Sequence, residues 1–135
     1  MRRYLILLAL PLLTAASLPG PIPAETIRVI DGDTVEMRMQ VWLNTFVVDQ
    51  VRLAGVDTPE LHGACEAERT RAADARAFVE RTLGAASAIA LTDISREKYG
   101  RPLARIVVDG RDLSAMLIAA GLGRPYAGGT RTGWC

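Results

Sequence analysis

From Glu25 onward the chain alternates apolar and polar residues. "ETIRVID" sets Ile27 and Val29 on one face, with Ile30 out of phase, and reads as a first strand. "TVEMRMQVWL" places Val35, Met37, Met39 and Val41 on one face, a second strand. "TFVVDQVRLAGV" is rich in β-branched residues and reads as a third, after a turn at Asn44-Thr45. The period then lengthens. From Ala64 to Leu83, Ala72, Ala75, Phe78, Val79 and Leu83 recur at helical spacing, with Gly84 as the expected stop. "SAIALTD" and "LARIVVD" form a fourth and a fifth strand. Asp109-Gly110 turns the chain into a second helix, capped by Asp112, with Leu113, Met116, Leu117 and Ala120 on one face and Gly121 at its end. The tail "RPYAGGTRTGWC" has no period and reads as irregular.

Three strands, a helix, two strands and a helix suit a five-stranded, partly closed β-barrel of the oligonucleotide/oligosaccharide-binding (OB) type with two to three flanking helices. The residues before Glu25 do not belong to that pattern. Arg2 and Arg3 precede an apolar run from Tyr4 to about Leu18, followed by small residues and prolines up to Ala24. This is the layout of a signal peptide, so residues 1–24 are expected to direct export to the periplasm or the medium and 25–135 to form the domain. The alternative is an uncleaved membrane anchor, although Pro11 interrupts the run.

Export changes the reading of charge and of cysteine. Losing Arg2 and Arg3 from the 16 cations leaves 14 against 15 acids, so bulk charge does not draw nucleic acid to the domain. Any phosphate binding must come from a few placed residues. The two cysteines, Cys65 and Cys135, are expected to pair in an oxidising compartment, the alternative being two free thiols. Closing a loop of roughly 70 residues is worth about 4 kcal/mol in the chain-entropy model.

Three short stretches carry the candidate chemistry, each weak alone. In "VRLAGVDTPEL", Thr58 is held extended by the proline after it, and the turn at Pro59 can bring Glu60 back beside Asp57. Two close carboxylates repel unless a cation or proton lies between them. In "IDGDT", Asp31 can bond its own turn, or Gly32 can bend the chain so that Asp33 points inward as a ligand. A hard cation would accept these carboxylates and a backbone carbonyl such as that of Thr58. Arg52 lies an odd number of residues before Asp57, on the opposite strand face, unless the chain bends at Ala54-Gly55. "EKYGRPL" reads as a polar turn bearing Lys98, Tyr99 and Arg101.

"IDGDTV", "VRLAGVDTPE" and the KYGR turn followed by "LARIVVDG", in this order and in a chain of this size, together resemble the staphylococcal nuclease-like (thermonuclease) family from about Thr26 to Tyr126. The resemblance implies a calcium-dependent phosphodiesterase that cleaves DNA or RNA to 3′-phosphate ends, working as a monomer with no obligate protein partner. It implies that Asp33 and Asp57 hold Ca2+ by carboxylate and Thr58 by its carbonyl. Glu60 would position or deprotonate water, and Arg52 and Arg101 would grip the phosphate. Lys98 and Tyr99 match positions that meet a terminal phosphate, and Tyr126 lies near the position of a base-stacking tyrosine. The segment from Thr34 to Arg52 is longer than in the family's prototype, and the prototype's last helix is missing. A catalytically silent OB module that binds nucleic acid or a protein is the alternative; such a relative is expected to have lost a member of this set, and all are present.

Overall fold

The chain is described from residue 16 to residue 135 in a computed structural model. The elements run β1 (Ile22–Asp31), β2 (Thr34–Trp42), β3 (Thr45–Leu53), β4 (Gly55–Asp57), α1 (Glu66–Gly84), β5 (Ile89–Arg96), β6 (Pro102–Val108), β7 (Arg111–Asp112), α2 (Leu113–Ala119) and β8 (Arg124–Tyr126). Five strands in the order β3-β2-β1-β5-β6 close into a mixed barrel through parallel pairing of β3 with β6, at Arg52 with Leu103 and Leu53 with Ala104. This is the OB-type barrel the alternation called for, with two helices among the described residues.

Alternation explains the core. Val35 and Met37 on β2, Val51 and Leu53 on β3, Leu91 on β5 and Ile106 on β6 all point inward and are fully buried. Ala75, Val79 and Leu83 of α1 pack into the barrel's core cluster, as do Leu113 and Leu117 of α2. Each large apolar side chain so buried contributes about 1.5–3 kcal/mol of transfer free energy.

The strict alternation fails in two places. Ile27, expected inward, is half exposed, because β1 slips register against β2 between Thr26 and Arg28 and the extra residue turns out to solvent. Val41, expected beside Met39, is exposed because β2 and β3 extend past the barrel as a two-stranded hairpin, ending at the pair Trp42–Thr45.

Three boundaries also move. The long third strand divides into β3 and β4 at Gly55, whose φ of +85° only glycine adopts readily. α1 runs through Gly84 and is capped at Ala85, whose amide donates to the Arg81 carbonyl while the Ala86 amide donates to that of Leu83, so Gly84 is not the stop. The tail is not wholly irregular: Arg124–Tyr126 form β8, antiparallel to β4, with Asp57 opposite Arg124. Asp112 caps α2 as expected, its carboxylate accepting from the Ser114 amide.

Residues 1–15, the greater part of the expected leader, lie outside the described residues. Its end does not. Ile22 and Pro23 pair with Leu91 and Ala90 on β5, and Leu18 exchanges backbone hydrogen bonds with Ile94. Ala24, the expected boundary, therefore falls inside β1. No helix among the described residues is long and apolar enough to cross a membrane.

Candidate active site

Asp33 enters the site because the turn before it is tight. The Asp33 amide donates to Asp31 Oδ1 at 3.0 Å, closing the "DGD" turn with the side chain of Asp31. Gly32 is needed there for space: a Cβ would lie 2.8 Å from both Ala75 Cβ and Thr58 Oγ1. The turn is thus pressed against α1 and the Asp57–Glu60 segment. Asp33 Oδ2 in turn accepts from the Thr58 amide at 3.1 Å, fixing the two acid-bearing segments to each other.

Arg52 resolves the odd spacing to Asp57. The chain bends at Gly55, and the guanidinium folds back along its own strand. Its Nη1 donates to the carbonyls of Leu53 at 3.0 Å and Val56 at 3.1 Å. Its Nη2 lies 3.3 Å from Asp33 Oδ2 and 3.9 Å from Asp57 Oδ1. Both carboxylates therefore face one nitrogen. All three groups are buried, with relative exposures of 7% for Asp33, 9% for Arg52 and 1% for Asp57.

Burial pushes the Asp33 carboxyl up to about 6; Arg52 opposes this, while nearby Asp31 adds to it. Asp57 Oδ1 has no directed hydrogen bond although it is fully buried. Arg131 Nη2 approaches it to 2.5 Å as an ion pair, which neutralises charge without the alignment of a hydrogen bond. An oxygen-only donor set suits a hard divalent cation such as Ca2+, and Asp57 Oδ1 is a buried oxygen without a directed hydrogen bond, so Asp33, Asp57 and the Thr58 carbonyl fit the ion that the resemblance implies.

Glu60 follows Pro59 and turns toward solvent, with its side chain half exposed. Its amide donates to Glu68 Oε1 at 3.4 Å, and the Ala64 amide donates to Glu68 Oε2 at 2.9 Å. The buried Glu68 thereby anchors the loop carrying Glu60 to the first turn of α1. Arg101 stands apart from the buried cluster. It grips Glu97 with two hydrogen bonds of 2.6 and 3.2 Å, and that bonding raises its already high pKa, assisted by Asp33 and Asp31.

Beside Arg52 opens a cleft of about 840 Å³, lined also by Glu97, Lys98, Arg105, Tyr126 and residues 128–130. Lys98 and Tyr126 thus border this cleft together, which meets the buried cluster at Arg52. Tyr99 does not line this cleft; it is 75% exposed, under the Lys98 ammonium 4.9 Å from its ring. The Tyr126 hydroxyl donates to the Gly129 carbonyl at 2.8 Å.

The tail, expected to be irregular and tied by a disulfide, also carries Arg124 and Arg131, which its sequence did not single out. Cys65 and Cys135 form the expected disulfide, with Cα atoms 6.0 Å apart. It draws residues 127–135 across the site. Arg124 donates to the Gly133 carbonyl at 3.2 Å, to that of Thr132, and to Asp57 Oδ2 at 3.2 Å. The Trp134 indole donates to the same Asp57 oxygen at 3.2 Å, its ring 4.0 Å below the Arg124 guanidinium. Arg131 reaches Glu60 Oε1 at 2.8 Å as well as Asp57. A disulfide from Cys135 to Cys65 limits how far the tail can lie from Glu60, five residues before Cys65, but not which oxygen its arginines reach.

Comparison with known proteins gives the family. The family model for the staphylococcal nuclease homologue matches residues 50–132, the stretch that holds Arg52, Asp57, Glu60 and Arg101. An "Uncharacterized endonuclease" of Escherichia coli O157:H7 is 26% identical over 130 residues, covering 93% of this chain and 74% of the relative.

Proposed function

Because the chain belongs to the staphylococcal nuclease homologue family, we propose that it is an exported, calcium-dependent phosphodiesterase that hydrolyses DNA, RNA or both to 3′-phosphate products, working as a monomer. The observation that carries the reading is the convergence of Asp33 and Asp57 on one Arg52 nitrogen, with Glu60 at the solvent edge of the same cluster.

Asp33 and Asp57, with the Thr58 carbonyl, would hold Ca2+, which when bound supplies Lewis-acid polarisation of a phosphoryl oxygen. The chain's own residues do the rest. Glu60, half exposed at the mouth, takes a proton from the attacking water. Arg52 is held rigid by two carbonyls and two carboxylates, so it meets the phosphate with little reorganisation. Arg101 can turn from Glu97 toward the phosphate and add a second fork of donors as charge builds on the equatorial oxygens. Lys98 and Tyr126 border the adjoining cleft, where a terminal phosphate and its nucleoside would lie.

Chelator-treated protein should leave single- and double-stranded DNA and RNA intact and regain hydrolysis with Ca2+. Mg2+, which demands shorter distances and octahedral geometry, should support less. Full digestion without added metal would remove this reading.

Export belongs to the same proposal, with processing upstream of Leu18 rather than at Ala24. Cutting at Ala24 would strip the Leu18–Ile94 and Ile22–Leu91 pairings from the edge of β5. Mass spectrometry of protein collected outside the cytoplasm should find an N-terminus at or before Leu18 and no alkylatable thiol. A start at Glu25, or two free cysteines, would contradict it.

A further inference from the structure

The tail carries Arg131 into contact with the two acids that the hydrolytic reading assigns to the metal and to the water. We infer that Arg131 is a built-in counter-ion that competes with the divalent cation for Asp57, and that the Cys65–Cys135 tether keeps it in place. The inference rests on the proposed calcium site.

Arg131 takes Asp57 Oδ1, the buried oxygen left without a directed hydrogen bond, and bridges it to Glu60 Oε1. Burial works against its charge, but Glu60 and Asp57 more than offset that and hold the guanidinium still more firmly protonated. A cation that claims Asp57, and a Glu60 freed to accept a proton, both require Arg131 to leave.

The strap is suited to leaving. Residues 127–133 are all exposed and lack regular structure, so little apolar burial opposes their opening. Its ends are held: Arg124 in β8 grips the carbonyls of Thr132 and Gly133, and the disulfide fixes Cys135 beside Glu68. The tether makes return of Arg131 an intramolecular event with a high effective concentration. A strap closed nine times in ten would weaken apparent cation affinity about tenfold.

The test is calorimetric titration with CaCl2 of wild type, Arg131→Ala, the tether-free Cys65→Ser/Cys135→Ser protein, and the three changes combined. Arg131→Ala should bind Ca2+ about tenfold more tightly. Tether removal should give part of that gain, and the combined protein no more than Arg131→Ala alone. In a Trp42→Phe background, Ca2+ should also shift the emission of Trp134 as the strap lifts from Asp57; Arg131→Ala should need less Ca2+ for the same shift. Unchanged or weaker binding by Arg131→Ala overturns the inference. So does full additivity with tether removal, since a merely repulsive surface charge would act independently of the tether. If neither wild type nor Arg131→Ala binds millimolar Ca2+, the calcium reading itself falls, and this inference with it.

Discussion

Glu60→Gln lowers kcat for phosphodiester hydrolysis by roughly 10²–10⁴-fold while leaving the melting temperature nearly unchanged, if Glu60 is the proton acceptor. The separation of the two effects follows from its position. The side chain is half exposed, and among the described residues its one ion pair is with Arg131 in the strap. The amide keeps an oxygen for that contact, and the backbone bond to Glu68 does not involve the side chain at all. What is lost is the capacity to take a proton. The measurement is kcat and KM on a defined oligonucleotide at saturating Ca2+, beside a thermal melt. Near-normal turnover with an intact fold would return the silent-module reading.

Arg52→Ala has the largest expected effect on both stability and turnover. Arg52 is buried; its removal takes a donor from the Leu53 and Val56 carbonyls and leaves Asp33 and Asp57 without their shared cation. Removing one partner of a buried ion pair costs about 3–5 kcal/mol, a large part of a small domain's stability. Arg101→Ala is the informative contrast. Its guanidinium is partly exposed and pairs with Glu97 at the surface, so its loss should cost no more than about 1 kcal/mol. Turnover should still fall on the order of 10²–10³-fold, as when one transition-state donor is removed. Denaturant melts and kcat for the pair decide it. Equal stability losses, or an Arg101→Ala enzyme of normal turnover, would show that these roles are wrongly divided. Added Ca2+ should partly restore Arg52→Ala stability, because a bound cation replaces some of the missing positive charge.

Alternation by itself determined the barrel. Val35, Met37 and Met39, then Val51 and Leu53, have side-chain directions set by the two-residue period, and closing such strands is the cheapest way to bury them. Local chemistry also determined the punctuation: Asp109-Gly110 at positive φ, Asp112 as a cap, Gly55 at the bend. That Asp33, Arg52, Asp57 and Thr58 would come together was legible from short stretches, and the fold draws those stretches together by two contacts, Gly32 against Thr58 and the Thr58 amide on Asp33. The register slip at Ile27 was not legible, since inserting one residue against β2 is decided by how the whole barrel closes. Nor were the roles of Arg124, Arg131 and Trp134 around Asp57, or of Glu68 behind Glu60. Arg124 and Glu68 lie 67 and 8 residues from the acids they serve, and Arg131 sits in a tail with no period. Which oxygen each reaches depends on the pairing of β4 with β8 and on the Cys65–Cys135 bond, because only a closed chain brings charges so distant in sequence into one low-dielectric site, where they bind strongly.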